Sequence, residues 1–321
     1  MRPERIASEA TPSWGHHVVA GRRVNPVLPA LLGAACISSS AIVVRLADTG
    51  AGTTAFYRCV LALPVLIVLA VFEHRHRGAR SLRSRALAGI AGMFLGVDLV
   101  LWTHAIYDIG AGIATVLGNL QVLFVTFIAW LWLRERPRPQ FLIALPVVLL
   151  GVVLLAGLGG ASGPNLHPVA GVLYGLGTSV TYAAFILILR SSTKEMLHVA
   201  GPLADATAGA ALASLLFGLA LGQLRFSPPL HALEWLLVLA LTSQTLGWLL
   251  ITSSLPHLPA AISSLLLLFQ PAASLVLAAI VLSERPTLLQ LVGATLVCGG
   301  VLVAARSKTT SKFIAVEPTP G

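Results

Sequence analysis

The sequence holds one carboxylate deep inside an apolar stretch, Asp98 in the run 86–107. A charge in hydrocarbon is costly, which makes such a residue a candidate for function. Burial favours the protonated form of a carboxylic acid, so Asp98 could carry a coupling proton, and its ionised form could bind a substrate ammonium group. A structural hydrogen bond or ion pair to a neighbouring helix is the alternative. Because burial is so costly, we favour a functional Asp98.

Two glutamines hold equivalent places in two similar stretches of the chain. Gln121 lies in the stretch 110–137 and Gln270 in the stretch 259–286, and an ungapped alignment superposes them. Their amides would offer donors and acceptors to a zwitterion without a fixed charge. A packing seam with interhelical hydrogen bonds is an equal alternative. Pro271 should bend the second stretch near Gln270, because proline removes a backbone donor.

Further polar and aromatic residues lie in apolar runs at spacings that could complete a cavity. Trp102 follows Asp98 by one helical turn and could form an aromatic wall beside it, or simply pack. Gln244 and Trp248 are one turn apart and are expected to line the cavity opposite Asp98. Asn119 has no polar equivalent in the second stretch, which suits an asymmetric substrate. The candidate substrate-binding residues are therefore Asp98, Trp102, Asn119, Gln121, Tyr182, Gln244, Trp248 and Gln270.

Three other charged residues lie within or at the end of apolar runs. Arg45 and Asp48 have the i, i+3 spacing that predicts a local ion pair on a helix. Arg58 lies inside the second apolar run, 53–72, too deep to be only a loop charge. It could bind a substrate carboxylate with two hydrogen bonds, or it could pair with Asp48 or Asp98 to hold helices together.

The composition indicates the environment in which these residues work. Of the 321 residues, 56% are hydrophobic and only 10% are charged, whereas soluble domains average about 25% charged residues. Ten apolar runs approach or exceed the ~20 residues that cross a bilayer. They lack the alternating polarity of barrel strands, so the sequence predicts an all-α membrane protein with ten transmembrane helices. The runs are 26–47, 53–72, 86–107, 110–133, 140–157, 168–189, 202–222, 232–254, 258–283 and 287–305.

The basic residues predict how the chain is oriented. Most of the 21 Lys and Arg residues fall in segments on the same side of the membrane as the N-terminus. The positive-inside rule then predicts that both termini are cytoplasmic, N-in and C-in. The same residues explain the formal net charge of +9 without a nucleic-acid partner. The basic loop 73–85 could attract an anionic lipid surface, but we favour its interpretation as a topology signal.

The ungapped alignment of the two stretches extends beyond the glutamines. It places Glu135 on Glu284 and Gly151 on Gly300, so we interpret the chain as a duplication of a five-helix repeat. Five is odd, and the copies must therefore cross the bilayer in opposite senses. Inverted repeats are typical of secondary transporters, which bind substrate near the midplane. The predicted divisions are a cytoplasmic tail 1–25, a first repeat 26–157, an extracytoplasmic linker 158–167, a second repeat 168–305 and a cytoplasmic tail 306–321.

Four short elements accompany the two five-helix copies: FYR at 56–58, LWTHAI at 101–106, RERP at 134–137 and SERP at 283–286. With these elements the chain resembles the EamA-type transporters of the drug/metabolite transporter superfamily over 26–305, although RERP and SERP lack the glycine common in the family. The resemblance implies a ten-helix bundle whose central cavity exports or exchanges amino acids, other small metabolites or drug-like molecules. In the family the FYR element lies away from the bundle centre, so we group Arg58 with Arg45 and Asp48 as structural ion-pair residues.

Missing motifs narrow the function further. The sequence has no Walker loop, GxSxG elbow or HExxH motif, which argues against an ATP-driven pump or a hydrolase. We expect a secondary transporter that exports a small amino-acid-like or drug-like solute by alternating access at a midplane cavity, as a uniporter or proton antiporter. A membrane-embedded enzyme acting on a lipid or isoprenoid, and a non-transporting scaffold, are the alternatives.

The sequence also predicts the cofactors and partners of the protein. We expect no cofactor, and we expect no metal site because the sequence has no paired membrane aspartates suited to a metal-dependent transferase. The expected partners are a small-molecule substrate and the lipid bilayer, with no nucleic acid. A monomer is compatible with the sequence, and the predicted location is the inner, cytoplasmic membrane.

Overall fold

The computed structural model describes residues 26–132, 134, 137, 139–156, 168–193, 198–281 and 287–305, and these are almost entirely helical. Both predicted tails, the linker 158–167 and the turns that hold Glu135 and Glu284 lie outside the described residues. So do several side chains within helices, including those of Arg45 and of residues 109–116.

The first half contains α1 Val27–Ser38, α2 Ser40–Ala47, α3 Ala51–Arg77, α4 Leu82–Asn119, α5 Gln121–Trp132 and α6 Pro139–Ala156. The first predicted span is thus divided at Ser39. There the hydroxyls of Ser38, Ser39 and Ser40 each donate to a carbonyl three residues earlier, at 2.6 to 2.7 Å. Such bonds compete with the helix's own hydrogen bonds and bend it.

The long helical segment α4 folds back on itself. In a straight helix Trp102 and Gly118 would be about 24 Å apart. Instead, a methyl group added at Gly118 would lie 4.0 Å from Cδ1 of Trp102. The chain therefore reverses direction between these two residues, as the predicted boundary between 107 and 110 requires.

The second half contains α7 Pro168–Thr193, α8 Ala200–Ala220, α9 Leu230–Leu239, a π-helical segment Ala240–Gly247, α10 Trp248–Ser254, α11 Ala260–Leu267, α12 Phe269–Val281 and α13 Leu288–Ala305. In the π-helical segment the Thr245 hydroxyl donates to the Ala240 carbonyl, five residues earlier, at 2.8 Å. The sequence predicts a regular helix over 232–254, so this segment is a departure from the prediction. π-Helical turns are rare and are frequent at functional sites.

Each half interrupts a helix just before its glutamine. The break between α4 and α5 falls at Leu120, directly before Gln121, and the break between α11 and α12 falls at Leu268, shortly before Gln270. Pro271 cannot donate a hydrogen bond to the preceding turn. The bend predicted near Gln270 is therefore confirmed, and its counterpart at Leu120 forms without a proline.

The helices have the lengths that a membrane protein needs. Seven of the described segments are long and apolar enough to cross a membrane, namely Val27–Val44, Ala51–Arg77, Leu82–Ala105, Val169–Thr193, Ala200–Ala220, Leu230–His257 and Ala260–Leu277. Three shorter apolar helices are Leu117–Trp132, Pro139–Leu154 and Leu288–Val303. Together they occupy the places of the ten predicted runs.

The helices α3 and α8, which correspond to the second predicted span of each half, pack against each other in opposite directions. At the start of α3, the Thr53 hydroxyl donates to the Gln223 carbonyl beyond the end of α8, at 3.1 Å. Near the end of α3, the Glu73 carboxylate accepts from the backbone N–H groups of Val199 and Gly201 at the start of α8, at 2.6 and 2.8 Å. The two helices are therefore antiparallel.

The last helices of the halves, α6 and α13, meet in the same way. A methyl group at Gly151 would lie 2.8 Å from the carbonyl oxygen of Gly293, and one at Gly300 would press on Val148 and lie 3.5 Å from the carbonyl oxygen of Ala144. The ungapped alignment makes Gly151 equivalent to Gly300 and Gly293 equivalent to Ala144. Each contact is thus the counterpart of the other, as in an interface with two-fold symmetry.

Small residues allow further close crossings. A methyl group at Gly92 in α4 would clash with the backbone of Ala206 in α8, and one at Gly96 would lie 2.7 Å from the carbonyl oxygen of Ala210. In membranes, where lipid is as apolar as leucine, such close backbone approach supplies much of the packing attraction. The crossing of α4 and α8 therefore depends on glycine at these positions.

We expect Gly92→Ala to lower the thermal stability of the purified protein, since backbone atoms of Ala206 would have to move. Overpacking of this kind costs about 1–3 kcal/mol. Gly299→Ala in α13 is the matched control, because nothing lies within 4 Å of the added methyl group there. The measurement is the melting temperature in detergent, and equal melting temperatures for the two variants would contradict the close crossing.

Candidate functional site

A cavity of about 190 Å³ lies where the two halves meet. Its walls come from the break between α1 and α2, from α3, from both arms of α4, and from α5, α7, α10 and α12. Its polar and aromatic lining residues are Ser38, Ser40, Arg58, Asp98, Trp102, Asn119, Gln121, Thr178, Tyr182, Trp248, Gln270 and Ser274. Seven of the eight predicted substrate-binding residues are among them.

Two opposite charges share this cavity. Asp98 is only 5% exposed, and its Oδ1 atom accepts no hydrogen bond. The buried Arg58 donates from Nη2 to the Ser243 hydroxyl at 3.2 Å, and its Nε has no partner. The two side chains are close enough to interact electrostatically. Each therefore keeps unused hydrogen-bonding capacity in a region where an unpaired polar group is costly.

Arg58 lies elsewhere than the resemblance led us to expect. It lines the cavity, whereas Asp48 is exposed at the end of α2, where a left-handed backbone conformation (φ 47°) ends the helix. The Arg45 side chain is outside the described residues, so the Arg45–Asp48 pair stays a prediction. The likeness to the FYR element did not indicate that the Arg58 side chain points into the cavity, and a structural role for Arg58 stays a prediction.

The two glutamines bring one amide from each half to the cavity. Gln121 is buried and its Oε1 has no hydrogen-bond partner. The Gln270 side chain interacts with the hydroxyl of Tyr182. Thr178, on α7, adds another hydroxyl without a partner. The helix breaks at Leu120 and Leu268 therefore put acceptors and donors from both halves around one space.

Aromatic rings form one side of the cavity. Trp248 is buried and its ring packs edge-to-face on Phe185, with ring centroids 4.8 Å apart. Tyr182 lies 6.1 Å from Trp248 and 6.0 Å from Phe185. Phe185 is itself fully buried and packs against the rings of both Tyr182 and Trp248, so it holds them in place. Trp102 adds a ring from α4.

Gln244 is the predicted residue that does not line the cavity. It is fully buried, and its Nε2 donates to the Thr207 hydroxyl on α8 at 3.2 Å. The prediction assumed α-helical spacing between Gln244 and Trp248, but Gln244 lies in the π-helical segment. The wider turn of a π-helix changes the direction of the Gln244 side chain from the one that α-helical spacing predicts.

Several lining residues were given no role by the sequence analysis. Ser38 and Ser40 flank the helix break, and Thr178 precedes Tyr182 by one turn. Hydroxyls in helices bond to their own backbone so often that sequence alone gives them little weight. These hydroxyls would have indicated a cavity only in combination with a helix break or with a large polar neighbour.

The lining residues suit a small polar solute rather than a metal or a covalent reaction. Within the described part of the chain, no group of three or more His, Cys, Asp or Glu side chains could hold a metal ion. A carboxylate and a guanidinium in one cavity match the two charges of a zwitterion. Amides and rings complete a wall that can contact both polar and apolar parts of a ligand.

Comparison with known proteins agrees with this architecture. The model of the EamA-like transporter family matches residues 25–157 and, separately, residues 169–306. No curated protein matches the chain significantly. A crystal structure described only as that of a protein has a TM-score of 0.73 and 17% sequence identity, over 87% of this chain and 96% of that chain. At this identity the likeness concerns the fold.

Because the two family matches cover most of the chain, the protein belongs to the EamA-like transporter family, and it is a multi-pass membrane transporter and not an enzyme.

Proposed function

We propose that the protein is a secondary transporter that exports a small amino-acid-like or drug-like metabolite by alternating access at the cavity between its halves. The observation that carries this proposal is the pair of buried charges, Asp98 and Arg58, in one cavity with amides from both halves. The proposed location is the inner membrane, with both termini cytoplasmic.

Each type of lining residue has a proposed part in binding. Asp98 accepts hydrogen bonds from a substrate ammonium group, and Arg58 donates to a substrate carboxylate through its unused N–H groups. Gln121 and Gln270 bond to the polar backbone of the solute. The rings of Trp102 and Trp248 contact its apolar part, and they also attract a cationic group.

Alternating access follows if the halves are inverted repeats that rock about the cavity. The antiparallel packing of α3 with α8, and of α6 with α13, supports that relation, because these are equivalent helices of the two halves. The broken helices beside Gln121 and Gln270 support it as well, since transporters bind substrates at such breaks. Rocking would expose the same lining residues to each side in turn.

Asp98→Asn should reduce substrate counterflow in proteoliposomes roughly tenfold or more, because hydrogen bonds to a charged group are worth about 1.5–3 kcal/mol. The matched control is Asp48→Asn, which removes an exposed carboxylate at the end of α2 and should leave counterflow unchanged. Unaltered counterflow in Asp98→Asn would contradict the role of this carboxylate.

The same assay separates uniport from proton antiport. In a proton antiporter that uses Asp98, an imposed pH gradient drives uptake of the substrate into wild-type proteoliposomes and fails to do so with Asp98→Asn. If the pH gradient does not change the rate of substrate uptake by the wild-type protein, the mechanism is uniport. Failure of every solute in a broad counterflow screen would contradict the transport proposal itself.

Cysteine labelling tests which residues face the cavity. In a background with Cys36→Ala, Cys59→Ala and Cys298→Ala, we expect Ser274→Cys to react with a small hydrophilic thiosulfonate, and Ser263→Cys to stay unreactive. Ser274 lines the cavity, while Ser263 is buried outside it. Regular helical spacing over the whole stretch would put both on one face, so equal labelling would contradict the break between α11 and α12.

A further inference from the structure

A second recess, separate from the transport cavity, lies at the end of α3. It has a volume of about 340 Å³ and is bounded by the end of α3, the turn into α4 and the start of α8. Its lining is polar at one end, with His74, Arg85 and His198, and apolar along α3 before that end, with Ile67 and Val71. We call this recess the α3–α8 groove. The proposed transport mechanism gives it no role.

Arg80 and Asp205 at the base of the groove neutralise each other. Arg80 Nη1 lies 2.6 Å from Asp205 Oδ2, the Arg80 side chain is only 8% exposed, and its Nη2 donates to the Ser84 carbonyl at 3.3 Å. The nearby Glu73 uses both carboxylate oxygens on the backbone N–H groups at the start of α8. The acidic groups next to the groove are thus already engaged.

Arg85 is the surplus charge of the groove. Its side chain is 60% exposed, and only its Nε approaches Asp205, at 3.8 Å. No described residue accepts a hydrogen bond from its terminal amino groups, which can therefore turn towards a ligand. His74, exposed at the same rim, adds a further donor. An anion bound here would meet an arginine fork, the geometry that proteins use for phosphate.

His198 lies at the inner end of the groove, and only one of its two ring nitrogens has a hydrogen-bond partner. The residue is 4% exposed, and its Nε2 lies 3.1 Å from the Gly78 carbonyl oxygen. A carbonyl only accepts, so Nε2 carries the hydrogen, and Nδ1 is left buried without a partner. In this tautomer Nδ1 is an acceptor, so it can take a hydrogen bond from a headgroup hydroxyl but not from a phosphate oxygen.

The apolar side of the groove continues onto the outer face of the bundle. Ile67 and Val71 are 51% and 46% exposed on α3, one turn apart, and the neighbouring Val68 is exposed too. They belong to Ala51–Arg77, a segment long and apolar enough to cross a membrane. The groove is therefore basic at its rim and apolar along the face that lipid chains would cover.

We infer that the α3–α8 groove binds an anionic phospholipid, with the headgroup phosphate on Arg85 and His74 and an acyl chain along Ile67 and Val71. Basic pockets between transmembrane helices are suited to such headgroups. A soluble anion would use only the basic rim and leave the apolar side uncovered. The occupant that matches both sides is a lipid.

Native mass spectrometry of the purified full-length protein, titrated with phosphatidylglycerol, tests the inference. Arg85→Gln should weaken the apparent Kd about tenfold, because charge-assisted hydrogen bonds are worth about 1.5–3 kcal/mol. The matched control is Arg83→Gln, an exposed arginine of the same turn that does not line the groove. It should leave the affinity unchanged. Equal affinity in wild type and Arg85→Gln, or equal losses in both variants, would overturn the site.

A second variant and two competing ligands complete the test. His74→Gln replaces an exposed side chain, so it should fold normally and still weaken binding, and unchanged binding in that variant would overturn the headgroup assignment. Phosphatidylcholine should bind more weakly than phosphatidylglycerol, and inorganic phosphate should not displace the lipid at equal concentration. Displacement by inorganic phosphate would reveal a site for a soluble anion and contradict the lipid assignment.

Discussion

Close antiparallel contact between equivalent helices is the constraint on which the molecule depends. The crossing of α6 and α13 brings Gly151 against the backbone at Gly293, and its counterpart brings Gly300 against Val148 and the backbone at Ala144. Such contacts tolerate no side chain, so they fix how the halves face each other. The space between the halves is therefore lined by side chains of the other helices. The cavity is a consequence of that arrangement, and both halves contribute to it.

Buried charged side chains behave differently inside and outside this cavity. Elsewhere the buried charges are engaged: Arg190 donates to the Leu258 carbonyl at 3.0 Å, and Arg80 pairs with Asp205. In the cavity, the Asp98 Oδ1 atom, the Gln121 amide oxygen and the Thr178 hydroxyl have no partner. Unsatisfied polar atoms are expensive in an apolar surround. Unpartnered polar atoms such as those of Ser214 and Thr252 also occur elsewhere, but only here do several of them lie together with two opposite charges among the described residues, which favours a binding site.

Much of this could be predicted from the sequence, and the reasons are physical. Helices that cross a membrane are recognised by the length of their apolar runs. Ten apolar helical segments therefore correspond to the ten predicted runs, although the run 110–133 begins seven residues before the segment Leu117–Trp132. Gln121 and Gln270 were found because duplication preserves spacing, and Pro271 predicted the break beside Gln270 through its missing N–H.

What the sequence could not predict depends on local departures from helical geometry. The break at Ser39 and the π-helical segment at 240–247 arise from bonds between hydroxyls and backbone, which sequence shows only as common serines and threonines. The π-helical segment rotated Gln244 away from the cavity and put Ser243 within reach of Arg58. The direction of the Arg58 side chain depended on that partner from the other half.

The central claim is that both halves build one binding site, and a double-mutant cycle tests it most directly. Equilibrium binding of a counterflow substrate to purified protein is measured for wild type, Gln121→Leu, Gln270→Leu and the double variant. Residues that contact the same ligand or each other are coupled, so we predict weaker binding in each single variant and an interaction free energy of at least about 0.5 kcal/mol. Full additivity of the two losses, or binding unchanged by either substitution, would contradict the claim.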